Sequence, residues 1–148
     1  MSKRFQRLVF LAQSDTTAGF LSASVSKLNK IKNRPLNKPC IECISSLSVK
    51  NFRVSNSRYK TLIRRAKKMT FILQNGYSFR VVKEPLHLEF LKKFNSLYST
   101  SANETNKHFS LDFAKNVSDV IVCDERGFFE SAPSKILKLG KTRIKKVR

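Results

Sequence analysis

Three cations fall within seven residues in the segment Lys32-Asn33-Arg34-Pro35-Leu36-Asn37-Lys38-Pro39. Pro35 and Pro39 fix the backbone around Lys38, so the cations have limited freedom to scatter, as holding an anion requires. A second segment, Ser99-Thr100-Ser101-Ala102-Asn103, ends an apolar run with small hydroxyls and one amide. Such groups donate to phosphate oxygens or a carboxylate at close range. Read together, the two segments predict an anion-binding site whose chemistry is positioning and charge stabilisation.

The elements that would position these residues follow from hydrophobic period and turn residues. Residues 8–12 form a short apolar run, expected as a strand, and residues 13–17 a polar turn in which Asp15 or Thr16 would cap a helix. Phe20, Leu21, Val25, Leu28 and Ile31 recur at spacings of three and four, predicting a helix over 19–32 that Pro35 ends. A strand is expected over 40–47, and a helix capped by Ser57 over 57–67 with Leu62, Ile63 and Ala66 inward. Strands over 69–74 and 77–82 flank Asn75-Gly76, the dipeptide best suited to a two-residue type I′ hairpin turn. Pro85 opens a helix to residue 95, a strand over 97–101 ends in the Ser/Asn cluster, and Ser110 caps a helix to 117. Strands over 120–123, 136–139 and 143–147 complete the pattern. Alternation of strands and helices with one hairpin predicts an α/β fold built on a mixed sheet, with ligands beyond strand ends.

The 148 residues, 41% hydrophobic with 12 Phe, fit one domain over 1–148. No apolar stretch approaches the roughly 20 residues of a membrane span, and the expected location is cytoplasmic, with no membrane partner. Thirty Lys and Arg against ten Asp and Glu give a formal charge of +20. Residues 43–83 contain no acid and ten cations, Lys50, Arg53, Arg58, Lys60, Arg64, Arg65, Lys67, Lys68, Arg80 and Lys83. Residues 135–148 hold seven more, a composition that leaves the order of this C-terminal run open. Such a field attracts polyanions, and nucleic acid is the expected partner; the alternative is a generally basic, solvated surface. Cys40-x-x-Cys43 invites a metal or redox reading, but a structural zinc needs four ligands, and Cys123, His87 and His108 stand at no paired spacing. No metal site is expected.

The ordered segments resemble the YrdC/TsaC (Sua-YciO-YrdC) family, the threonylcarbamoyl-AMP synthases that begin threonylcarbamoyladenosine synthesis in tRNA. Asp15, Thr16 and Gly19 match half of that family's Pro-Thr-Asp/Glu-Thr-x-x-Gly-Leu turn. Its Lys-x-Arg-Pro-x-x-Lys/Asn-Pro motif is matched in full by Lys32, Arg34, Pro35, Lys38 and Pro39. Thr70 stands like the threonine of a family strand, and Arg80 like the arginine of its Val-Arg-Val-Pro strand. Ser99, Ser101 and Asn103 match Ser/Thr-x-Ser-Ala-Asn, Ser134 a Pro-Ser-Thr segment, and Arg148 an Ile-Leu-Arg.

The resemblance implies a twisted mixed parallel/antiparallel sheet with flanking helices and a basic concave cleft. It implies that L-threonine and bicarbonate form a carbamate, which attacks the α-phosphate of ATP and releases pyrophosphate, Mg2+ accompanying the nucleotide. Lys32 and Arg34 would be catalytic; with Lys38, Thr70, Ser101, Asn103 and Arg148 they would hold the nucleotide. Thr16, Arg80, Ser99 and Ser134 would hold threonine. Implied partners are tRNA or double-stranded RNA on the basic face and downstream threonylcarbamoyl transferase proteins. Departures fall at Ala18, in place of an aromatic; Cys43, in place of a histidine; Asn106, in place of a glycine; and Lys135, in place of a threonine. Two classes stand side by side: a compact synthase, and a non-catalytic module that grips double-stranded RNA or tRNA by shape and backbone. For Lys32 and Lys38 the bland alternative is a pair of solvated charges at a helix C-terminus.

Overall fold

A computed structural model describes residues 3–50, 54 and 56–148; Arg53 of the basic stretch lies outside them. After a 3-10 turn at Phe5–Arg7 come β1 (Phe10–Gln13), β2 (Ala18–Ser22), α1 (Val25–Ile31) and β3 (Ile41–Ile44). A second 3-10 turn, Leu47–Val49, leads to α2 (Ser57–Arg65), β4 (Met69–Ile72), β5 (Ser78–Val81) and α3 (Pro85–Lys92). The chain closes with β6 (Ser96–Ser101), α4 (Leu111–Val117), β7 (Val120–Val122), β8 (Lys135–Leu139) and β9 (Ile144–Lys146). These strands form one nine-stranded sheet in the order β7-β1-β2-β6-β3-β5-β4-β8-β9. Pairs β1–β7, β3–β5 and β4–β8 are parallel and the rest antiparallel, the mixed sheet that the sequence implies. Among the described residues no helix is long and apolar enough to cross a membrane.

Side chains alternate between the two faces of the sheet. One face carries Leu11 and Phe20 against α1 and α4, and Ile44, Phe71 and Phe79 against α2. The other carries Phe10, Leu21, Cys43 and Leu97 against α3. Arg80 pairs in register with Cys43, and Ser99 with Leu21, so both belong to the α3 face. With fewer helices over it, this is the face on which the site residues collect.

The largest departure from expectation is the start of the predicted helix over 19–32. Residues 18–22 form β2, and α1 begins only at Val25, its first turn capped by Ser24, whose Oγ accepts from the Lys27 N–H. Phe20 and Leu21 are both fully buried, one on each face, so the strand shows no alternation and its residues fall by coincidence on a helical spacing. Asp15 and Thr16 therefore cap no helix. The strand expected over 40–47 is shorter, giving way to the 3-10 turn. Asn56 rather than Ser57 caps α2 through its Oδ1, and the helix stops at Arg65; α3 ends at Lys92 rather than 95. The β4–β5 hairpin forms as predicted, but Leu73 pairs with Tyr77 and Gly76 N–H reaches Leu73 O at 3.0 Å, leaving a three-residue loop. Only Gly76 of the Asn75-Gly76 pair has positive φ, +83°, so the turn is not type I′. Within the basic C-terminal run, Lys135–Leu139 and Ile144–Lys146 pair as the β8–β9 hairpin.

Candidate functional site

Helix α1 ends in a reversal that aims two cations. Asn33 adopts φ +50°, its N–H reaches Lys30 O at 3.1 Å, and Arg34 N–H reaches Asn29 O at 3.1 Å, the paired bonds of a Schellman cap. Asn tolerates this left-handed conformation better than most residues. Lys32, at the cap, is thereby turned toward the end of β6. Its Nζ lies 2.6 Å from Asn103 O, 2.9 Å from Ser101 O, 3.0 Å from Asn103 Oδ1 and 3.4 Å from Ser101 Oγ. Thr105 Oγ1 closes the junction by donating to Lys32 O at 2.7 Å. Lys32 is only 5% exposed, and burial, followed by the Arg34 and Lys38 charges, lowers its pKa to about 8. It is not a solvated helix-end charge, whereas Lys38 is exposed.

Arg34 is steered by Asn29, which is fully buried and whose Oδ1 accepts from Arg34 Nε at 2.6 Å. The same amide donates to Leu36 O and Lys38 O at 2.9 and 2.8 Å, so one side chain ties the whole cation loop to α1. The Arg34 Nη2 lies 3.2 Å from Cys40 Sγ. Cys40 is the residue before β3 and lines the cleft, while Cys43 is buried inside the sheet, burial pushing its thiol pKa up. The two thiols thus serve different environments.

A second cluster forms around Arg80 on β5. Its Nη1 donates to Asp15 Oδ1 at 2.8 Å and Thr16 Oγ1 at 3.4 Å; Nη2 donates to Ser134 Oγ at 2.9 Å; Nε and Nη2 each reach Thr70 Oγ1 at 3.3 Å. The Thr70 and Ser134 hydroxyls are 2.9 Å apart. All five residues are buried, and Arg80 and Asp15 form an ion pair with side chains 9% and 4% exposed. A guanidinium held in this way is fixed in one orientation where it borders the cleft.

The turn that supplies Asp15 and Thr16 is itself clamped from behind. Arg126 donates from Nη1 to Ser14 O at 3.1 Å and from Nη2 to Gln13 O at 2.9 Å, while pairing with Asp124 at 2.7 Å and Glu84 at 2.9 Å. Beneath lies His87 of α3, 1% exposed, with neither ring nitrogen hydrogen-bonded; burial lowers its pKa to about 4.

A cleft of about 250 Å³ opens between the clusters. Thr16, Arg34, Arg80, Ser99, Ser101, Ser134 and Arg148 line it, and Arg148 Nε donates to Ser134 O at 3.1 Å. Lys32 and Asn103 stand behind Ser101, and Lys38 lies outside. Thr70, read from the resemblance as a nucleotide contact, sits in the Arg80 cluster with residues read as threonine contacts. Ala18 is buried against α1 and α4 and does not line the cleft, so the missing aromatic leaves no gap there. Asn106 has φ +64°, the conformation a glycine would supply. Among the described residues no group of three His, Cys, Asp or Glu could hold a metal.

Asp15, Asn29, Cys40 and Arg126 escaped the sequence reading as site residues. Asp15 stood in the quoted turn, and its pairing with Arg80 across 65 positions is invisible without the sheet. Asn29 follows Val25 by one helical turn, and no pattern in the sequence marks it as part of the site.

No protein-family model and no curated protein matches the chain. Solved structures do. The crystal structure of P. abyssi Sua5 complexed with L-threonine matches with a TM-score of 0.79 at 16% identity, covering 98% of this chain and 52% of that one. E. coli YciO matches with a TM-score of 0.70 at 17% identity, covering 95% and 82%. Full-length HypF in the phosphate- and nucleotide-bound form matches with a TM-score of 0.73 at 12% identity, covering 95% and 26%. The chain spans about half the length of the Sua5 structure. At these identities the likeness establishes the fold: the chain has the mixed-sheet YrdC-like α/β fold of Sua5 and YciO.

Proposed function

We propose that the chain is a compact member of the YrdC/TsaC family that makes L-threonylcarbamoyladenylate from L-threonine, bicarbonate and ATP for tRNA modification. The observation that carries this reading is the pair of preformed cationic clusters, around Lys32–Arg34 and around Arg80, meeting at one cleft lined by Ser99, Ser101 and Ser134. All the reactants that meet there carry negative charge, and bringing them together needs fixed cations and donors rather than a nucleophile. The ligands of the fold relatives, L-threonine in Sua5 and a nucleotide in HypF, support the same chemistry.

In this reading Arg80 takes the threonine carboxylate, with Thr16, Ser99 and Ser134 around it. The amine adds to bicarbonate, losing water to give the carbamate. A carbamate oxygen then attacks the α-phosphorus, the bond to the β-phosphate oxygen breaks, and pyrophosphate leaves. Arg34, Ser101 and Arg148 face the nucleotide, with Lys38 at the outer rim. Lys32, its ammonium surrounded by Ser101 and Asn103 oxygens, fixes the donor loop and adds positive field. Thr70 holds Arg80 rather than the nucleotide. Mg2+ enters with ATP as part of the substrate. The product passes to threonylcarbamoyl transferase proteins that act on tRNA.

The test incubates purified protein with ATP, bicarbonate and labelled threonine and measures threonine-dependent pyrophosphate and adenylate. Product well above an Arg34→Ala control is expected. Product no higher than that control overturns the synthase in favour of a non-catalytic double-stranded RNA or tRNA binder, the reading the +20 charge supports on its own.

A further inference from the structure

We propose that the chain binds a small organic anion, a carboxylate on a short apolar body, in a crevice beyond the carboxyl ends of β3 and β5, separate from the cleft. These two strands are parallel neighbours in the sheet. After β3 the chain passes to α2, which packs on the face of Ile44 and Val81; after β5 it passes to α3, which packs on the opposite face with Cys43 and Val82. Connections that leave adjacent parallel strands toward opposite faces open a gap at the strand ends, the place where α/β sheets take their ligands. A crevice of about 410 Å³ lies there, within the roughly 300–1,000 Å³ of small-molecule sites. Its walls come from both sides of that divide: Ser45, Ser46 and Leu47 after β3 with Arg64 of α2, and Lys83 after β5 with Leu88 of α3. The cleft lies toward the other end of β3, at Pro39, Cys40 and Ile41, and no residue lines both.

The lining selects the ligand. Leu47, Val81, Val82 and Leu88 supply an apolar wall, which an ion without an apolar body would leave uncovered. Two exposed cations complete it. Lys83 Nζ donates to Arg64 O at 2.5 Å, which holds the ammonium at the C-terminal end of α2, where positive charge is favoured. Among the described residues neither Lys83 nor the Arg64 guanidinium forms an ion pair. No acid lines the crevice, and Glu84, next to Lys83 in the chain, is already paired with Arg126 at 2.9 Å and accepts from His87 N–H. A guanidinium meets a carboxylate through two parallel N–H bonds, and the Ser45 and Ser46 hydroxyls add donors beside it.

The experiment follows backbone amide NMR shifts of the isotope-labelled full chain during titration with hexanoate, hexanol or inorganic phosphate, without ATP or threonine. Hexanoate is expected to shift the amides of Ser45, Ser46, Arg64, Lys83 and Leu88 to saturation. It should bind at least fivefold tighter than hexanol, which lacks the charge, and than phosphate, which lacks the apolar body. R64Q/K83Q should weaken hexanoate at least fivefold; K115Q/K141Q, which removes the same charge elsewhere, and R34A, in the cleft, should each change it less than twofold. R64Q alone leaves the Lys83 bond to the backbone carbonyl intact and should still weaken hexanoate at least threefold, which decides the matter where the double variant does not fold. Hexanol or phosphate binding as tightly as hexanoate, shifts centred on the cleft, equal losses in all variants, or no saturable shift each overturn the proposal. With neither substrate of the synthase present, the outcome is independent of that reading.

Discussion

Replacing Asp15 by Asn keeps the shape and one acceptor but strands the Arg80 charge. The guanidinium side chain is 9% exposed and its carboxylate partner lies at 2.8 Å. Taking charge centres about 4 Å apart and an effective dielectric near 20, their attraction is about 4 kcal/mol. Removing one partner of a buried pair costs about 3–5 kcal/mol, because the other charge stays in the interior. Thr70 and Ser134 continue to accept from Arg80, and the amide introduced by D15N keeps an acceptor oxygen, which places the expected loss near the low end, about 3 kcal/mol. In urea at pH 7, with m about 1–3 kcal/mol/M, that loss moves the midpoint down by roughly 1 M or more. Arg80→Met should cost a similar amount, and the double variant D15N/R80M should be less destabilised than the sum by at least about 2 kcal/mol. A D15N stability within about 0.5 kcal/mol of the parent, or additive single effects, would refute the claim that Asp15 holds Arg80.

Lys32, its pKa depressed to about 8, binds fewer protons folded than unfolded between pH 8 and 10.5, so stability rises with pH across that window by on the order of 2 kcal/mol. Urea midpoints of Lys32→Met compared with the parent should lack that rise, and parallel curves would contradict the assignment. His87 is held neutral with a pKa of about 4, so the unfolded chain binds the extra proton between pH 6.5 and 4 and stability falls on acidification. Since both ring nitrogens lack partners, His87→Leu should leave neutral-pH stability within about 1 kcal/mol or improve it and flatten the acid limb of thermal melts. Asn33→Gly should be near neutral and Asn33→Val should cost at least about 1 kcal/mol; under the proposed synthase function, ATP affinity measured by calorimetry should fall only in the valine variant.

Local chemistry made part of this molecule readable from residues alone. The β4–β5 hairpin, the Ser110 cap and Pro85 at the start of α3 are short-range features that sequence patterns report directly. The strand β2 was hidden because it is buried on both faces, which erases the alternation that marks a half-buried strand. The cation and Ser/Asn segments could be named as one site because each is contiguous. The Asp15–Arg80 pair and the Arg126 clamp on Gln13 and Ser14 could not, since each depends on register between strands and loops far apart in the chain.

The Arg80 cluster is itself divided between separate local hairpins. Thr16 and Asp15 sit at the turn of β1–β2, Thr70 and Arg80 on β4–β5, and the adjoining strands β6 and β3 join the two across the middle of the sheet. Neither hairpin alone contains a site. The cleft therefore comes into being only once the long-range β2–β6 and β6–β3 pairings close, a slow class of contact. Any ligand of the cleft then binds solely the completed sheet and by mass action holds it closed, so its occupancy acts as a clasp on the whole topology.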